Sequence, residues 1–216
     1  MNILHIDCSP RTESHSRRLS AALVGKLLDG TPNTSVSRRD LACVPIPHVA
    51  SDYATALSSP ATLAAPPNGS LEFSEMLIRE VEAADAIVIG TPMYNLTVPS
   101  VLKAWIDRIL RAGRTFASTP AGKVGMLRDR PVFVGIASGG VFSGERANQP
   151  DFLTPYLAVV LGNIGLRTVQ FIPVQATAFL DRDQAASATA AGVATMDVTP
   201  VRRLPRPIAW DRRHAS

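Results

Sequence analysis

Residues 85–99, DAIVIGTPMYNLTVP, decide the fold. Ala86–Gly90 is a short, continuous apolar run ending in glycine, the pattern of a strand buried on both faces of a parallel sheet. After it comes a loop stiffened by Pro92 and Pro99, with Met93, Tyr94 and Asn95 between them. Pro99 suits the first turn of a helix, and Leu102, Trp105, Ile106, Ile109 and Leu110 then fall on one helical face. A buried strand, a distinctive loop and an amphipathic helix make one strand–helix unit.

The same unit recurs on both sides. Ile3–Ile6 predicts a first strand, followed by the hydroxyl-rich loop CSPRTESHS and a helix with Leu19, Ala22, Leu23 and Leu27 on one face, capped by Ser14 or Ser16. Residues 34–41, TSVSRRDL, predict a polar edge strand. Cys43–Ser70 predicts a loop with a short helix near Tyr53–Leu57, and Phe73, Met76, Leu77, Val81 and Ala84 predict a helix before the central strand. Residues 113–130 read as a connection. PVFVGIA predicts another buried strand ending at Ala137, and a loop, SGGVFSGERANQP, comes after it. A helix carries Leu157, Val160, Leu161 and Ile164 and is stopped by Gly165; TVQFIPV is a last strand; residues 182–194 predict a weak helix. Five strands alternating with helices imply an α/β fold, a three-layer sandwich with a five-stranded parallel sheet and helices on both faces.

Composition agrees with a globular chain: 46% of residues are hydrophobic and 19% charged. No apolar run reaches the roughly 20 residues needed to span a bilayer, and Asp7 with Ser-Pro-Arg breaks any signal-peptide pattern. Only Cys8 and Cys43 are present, outside any Cys-x-x-Cys pair, so a structural disulfide is not expected. These features predict a cytoplasmic protein without a membrane partner. The four histidines are scattered, and no metal site is expected. Residues 1–200 predict a single domain and 201–216 a basic tail, in which Arg202, Arg203, Arg206, Arg212 and Arg213 supply much of the net charge of +4. That tail lacks the aromatic interleaving of nucleic-acid modules, so no nucleic-acid partner is expected.

Ligands in such sheets sit beyond the carboxyl ends of the strands, where the strand order reverses. Three loops end there: SPRTESHS, PMYNLTV and ASGGVFSG. The first offers the hydroxyls of Ser9, Thr12, Ser14 and Ser16 ahead of a helix N-terminus, which together favour an anion. It lacks both GxxxxGK[ST] and GxGxxG, so a monoester phosphate fits better than a nucleoside triphosphate or a dinucleotide. Tyr94 offers a flat face for a ring system, and Gly139 with Gly140 permits close backbone approach.

The segment PMYNLTVPSVLKAWIDRILRAGRTF, with LTPYL and LGNIG downstream, resembles the signature of FMN-dependent NADH-azoreductases, a quinone- and azo-reducing branch of the flavodoxin-like superfamily. The likeness extends from the first strand to about Phe179. It implies that Ser9, Ser14, His15 and Ser16 hold the FMN phosphate, that Met93, Tyr94, Asn95 and Leu96 contact the ring and ribityl chain, and that Ala137, Ser138, Gly139 and Gly140 border its pyrimidine edge. Ser138 stands where some members of that family carry Arg. The implied activity is ping-pong reduction of a quinone or azo acceptor by NADH or NADPH, in a homodimer with sites at the subunit boundary. Phe116 and Phe142, as loop residues, would roof an aromatic acceptor or serve that boundary. No side chain is required as acid or base, because the flavin does the chemistry. Other readings are a non-enzymatic flavin electron carrier, a flavodoxin-like regulator acting through the tail, and a hydrolase on the same layers; the last lacks a G-x-S-x-G elbow.

Overall fold

In the computed structural model, residues 1–64, 66 and 69–203 are described. The elements run β1 (Asn2–Asp7), α1 (His15–Gly30), β2 (Ser35–Asp40), α2 (Ser51–Ala56), α3 (Pro60–Ala64), α4 (Glu72–Ala83), β3 (Ala86–Pro92), α5 (Ser100–Ile109), β4 (Phe116–Thr119), β5 (Gly122–Gly125), β6 (Val132–Ala137), α6 (Thr154–Asn163), β7 (Val169–Val174), α7 (Arg182–Thr195) and α8 (Thr199–Arg202). Five of the strands form one parallel sheet in the order β2-β1-β3-β6-β7. The order reverses between β1 and β3, which opens a crevice at the carboxyl ends of those strands.

Alternate residues of the sheet feed two cores. Leu4, Ile6, Ile87, Ile89, Val132 and Val134 pack with Leu77, Ile78, Leu102, Trp105, Leu157 and Leu161 from α4, α5 and α6. Ile3, Val88 and Phe133 pack on the opposite face with Leu19, Leu23 and Leu27 of α1 and with Met196 beyond α7. β3 and β6 are buried along their whole length, whereas β2 is exposed at its first four positions, which accounts for its polar sequence at the sheet edge. β7 is the other edge and accommodates Pro173, which cannot donate to a ladder.

Arginines tie the α4 side together. Arg130 is buried and caps the end of α4, its Nη1 donating to the carbonyls of Val81 and Ala84. Arg111 and Arg114, just after α5, pair with Glu75, and Arg114 also pairs with Glu82. Those contacts, led by the Arg114 hydrogen bond, hold the Glu75 carboxyl down at about 2.

The connection expected over residues 113–130 contains a β-hairpin, β4–β5. Its strands have four residues each and are largely exposed, so they lack the apolar alternation that would mark them. What fixes the hairpin is a close backbone approach: a Cβ on Gly125 would overlap Gly165, which itself has φ +104 at the end of α6. A second short helix, α3, joins the one expected near Tyr53–Leu57. Of the basic tail, Arg206, Arg212 and Arg213 lie outside the described residues.

Candidate functional site

The loops after β1, β3 and β6 meet at the carboxyl end of three neighbouring strands. Gly90 makes this possible: a Cβ there would lie 2.8 Å from the Ser16 carbonyl, so α1 enters directly over the β1–β3 boundary. Cys8 donates its N–H to the Gly90 carbonyl at 3.0 Å, carrying the pairing of the two strands into the first loop.

In that loop Ser14 is the N-cap of α1, its Oγ accepting from the Arg17 N–H at 3.3 Å. The Ser14 and Ser16 hydroxyls lie 3.3 Å apart, and the Ser9 Oγ accepts from the Arg11 N–H. All three serines are buried. Small hydroxyls thus gather where the helix dipole is positive, a cradle suited to an anion. The His15 side chain instead lines a groove of about 570 Å³ between α1 and α7. Burial, helped by Arg18 and Arg11, lowers its pKa below the ordinary value.

Beneath the cradle lies a set of charges that no spacing rule reveals. Arg17 donates through Nε to the Ser9 carbonyl at 2.8 Å and through both Nη atoms to Asp40, at 2.7 and 2.8 Å. Asp7, only 1% exposed, accepts from Arg38 at 2.7 Å and from the Ser20 hydroxyl at 3.0 Å. The His5 Nε2 lies 2.9 Å from the same hydroxyl. His5, buried within β1, is therefore a member of a buried polar network. The Arg17 hydrogen bonds hold the Asp40 carboxyl well below the usual range. Burial pushes Asp7 upward, but the bonds from His5, Arg38 and Ser20 outweigh it and lower its pKa. Cys8 is fully buried, and burial drives its thiol pKa far up, so it is no nucleophile.

The second loop is a tight turn. Tyr94 and Thr97 exchange both backbone hydrogen bonds at 3.0 Å, and Asn95 and Leu96 between them have φ of 47° and 70°. Two successive left-handed residues are the pattern of a type I′ turn, which favours Asn at the first place and Gly at the second. Leu96 departs from that preference and carries strain. Its carbonyl accepts from the Phe152 N–H at 3.1 Å.

In the third loop the Met93 N–H donates to the Ala137 carbonyl at 2.8 Å, joining it to the second. Ser138 is buried, Gly140 half-buried and Gly139 exposed. Gln175 and Gln149, which no sequence motif marks, organise the remainder of this loop. The Gln175 Oε1 accepts from the N–H groups of Phe142 and Ser143 at 2.7 and 3.0 Å. Among the described residues the N–H groups of Asn95, Leu96, Gly139 and Gly140 find no acceptor, and so are backbone donors left at this end of the sheet.

Phe116 needs correction as a loop residue, whereas Phe142 lies in the loop after β6 as expected. Phe116 begins β4 rather than lying in a loop, and both rings are 7% exposed within the core on the α4–α6 side. The aromatics left open beside the three loops are Tyr94, Phe152 and Phe179, at 42%, 58% and 82% exposure. A cleft of about 730 Å³ lies elsewhere, lined by Asn2, Ser37 and the α4 residues Glu72, Glu75, Met76 and Arg79. No group of acidic, His and Cys side chains able to hold a metal occurs among the described residues, and both cysteines are free.

Comparison with known proteins gives a consistent picture. The model of the family described as a flavodoxin-like fold matches residues 1–197. A Pseudomonas fluorescens protein named FMN-dependent NADH:quinone oxidoreductase 4 is 49% identical over 83% of this chain and 86% of its own length. FMN-dependent NADH:quinone oxidoreductase 5 of Burkholderia lata is 46% identical over 82% of this chain and 86% of its own. Among solved structures, an azoreductase from Bacillus anthracis superposes with a TM-score of 0.74 at 26% identity, covering 90% of this chain and 95% of that one.

Proposed function

The chain belongs to the flavodoxin-like fold family, and we propose that within it the protein is an FMN-dependent oxidoreductase reducing quinones and azo compounds with NADH or NADPH. The observation that carries this reading is the meeting of a buried hydroxyl cradle at the α1 N-terminus with two neutral, donor-rich loops on adjacent strands. The names of the relatives agree with it. The residues fit such a cofactor: Ser9, Ser14 and Ser16, with the backbone of His15, offer donors to a phosphate, while Met93–Leu96 and Ala137–Gly140 contain no charged side chain to oppose a flat heterocycle.

Bound FMN would supply two-electron redox chemistry between a nicotinamide donor and the acceptor, in a ping-pong cycle. The protein's share is electrostatic. The free N–H groups of Asn95, Leu96, Gly139 and Gly140 would donate toward negative charge on a ring bound between these loops, in the manner of an oxyanion hole. The buried Met93 and Ser138 would keep water from that side, and Tyr94 would lie against whichever aromatic partner stacks there. Residues 1–200 act as the single cofactor-binding domain in this reading, and 201–216 as a basic tail. A second copy of the chain would cover Tyr94, Phe152 and Phe179 and complete the acceptor pocket. The two unpaired cysteines agree with a reducing, cytoplasmic setting.

The test is direct. The purified protein, or its apoprotein mixed with FMN, should show flavin absorption that bleaches anaerobically with NADH and returns on adding a benzoquinone. A protein that takes up no FMN would sink the cofactor assignment. Bleaching without recovery would keep the cofactor and reject the turnover.

A further inference from the structure

Resting on the FMN reading, we propose that Gln149 is a positioning residue that locks the loop after β6 onto Met93 and so sets the grip of the protein on the flavin ring. Its Nε2 donates to the Met93 Sδ at 3.3 Å and to the Ser138 Oγ at 3.0 Å, while the Ser138 hydroxyl itself lies 3.9 Å from the same sulfur. One carboxamide therefore closes a triangle between the two loops at the ring side.

The chain is shaped to deliver that amide. The N–H groups of Asn148 and Gln149 both donate to the Val141 carbonyl, at 2.8 and 3.2 Å. The Asn148 side chain accepts in turn from the Val141 N–H at 3.1 Å. The 141–149 loop is thus tied off at its base, and Gln149 emerges beside Gly140. A Cβ on Gly140 would overlap the Gln149 Oε1, so the glycine leaves the room the amide occupies. Gln149 is half-buried, and a neutral donor is the one polar group that satisfies a thioether and a hydroxyl together without placing charge beside the ring.

The experiment is an FMN titration of the apoprotein, with urea unfolding of the same apoprotein in parallel. Q149L keeps the volume and removes both donated bonds; it should raise the FMN Kd about tenfold, while the apoprotein unfolding midpoint moves little. Combining it with S138A should cost less than the two separate effects multiplied, because the residues share one contact. Q149E supplies an internal control. At pH 7 its carboxylate cannot donate, and FMN binding should be weaker than in Q149L; toward pH 4, where a carboxyl regains its proton, binding should recover relative to wild type at the same pH. A merely structural glutamine would show the reverse: lost apoprotein stability and no pH-dependent recovery. Wild-type FMN affinity in Q149L overturns the assignment. Failure of the wild-type apoprotein to bind FMN overturns the cofactor reading, and this inference with it.

Discussion

Under the first loop, Asp7, Arg17, Arg38 and Asp40 meet in a largely buried set of ion pairs, whereas no charged residue occurs from Met93 to Thr97 or from Ala137 to Phe142. The proposed phosphate side is braced by charge, and the proposed ring side by amides, a thioether and a strained turn. Two arginines balance two aspartates beneath the cradle, so the network adds little net field of its own. The attraction for an anion then comes from the helix N-terminus and the hydroxyls, while the ions hold those groups in place. A neutral ring side makes the complementary choice, because a fixed charge there would favour one oxidation state of a bound flavin over the other.

Breaking the charged brace should have the largest effect. Arg17→Met leaves the Ser9 carbonyl without its donor and Asp40 with only the N–H groups of Ala42 and Cys43 close by, and removing one partner of a buried pair costs about 3–5 kcal/mol. The urea midpoint of the apoprotein measures it; a loss below about 1 kcal/mol would mean that solvent already screens the pair.

Next in size is the cradle itself. Replacing Ser14 and Ser16 together by Ala should weaken FMN binding by about 1–3 kcal/mol through two lost bonds to a charged group. The lost N-cap should lower apoprotein stability by about 1 kcal/mol. Unchanged affinity in this variant would place the phosphate elsewhere.

How much of this was legible depended on sequence distance. Ala86–Gly90 and Val132–Ala137 announce buried strands because both faces of the sheet are covered, and Ser14 announces its cap because capping is local. Arg17 and Asp40 are 23 residues apart, and Gln149 and Met93 are 56 apart. No periodicity connects such pairs, and only the folded sheet brings them together. Phe116 misled for a related reason: it is buried as part of the β4–β5 hairpin, whose Gly125 packs directly on Gly165 across 40 residues of chain.

Acid should separate the two sides. Asp40 and Asp7 have pKa values lowered from 3.8, so their stabilisation is complete above about pH 4 and is lost as pH falls through the folded values. Glu75, held at about 2 by Arg114 and Arg111, loses its contribution in the same window although it belongs to neither side of the site. The Arg17→Met variant resolves the two. Its urea midpoint should fall less between pH 7 and pH 3 than that of the wild type, since Asp40 then gains less from ionising, with only the Cys43 contacts left to favour its charged form, and the Glu75 part should remain. An equal fall in both proteins would show that the acid response comes from α4 and not from the cradle.

The smallest effect tests the ring side where it has no charge to lose. Asn95 is exposed with φ 47°, so its replacement changes backbone preference without changing burial. Asn95→Ala places a β-carbon in the left-handed region without the local side-chain bonding that lets Asn tolerate it, and should cost about 1 kcal/mol. Asn95→Gly should be neutral within about 0.5 kcal/mol, because freedom at positive φ offsets the larger entropy glycine loses on folding. The pair of variants is read by urea midpoints at pH 7 and again at pH 3. Both differences should be the same at the two pH values, since nothing in the turn titrates there. A difference that grew in acid would mean that the turn leans on the ionic network after all, and that the two sides of the site are one.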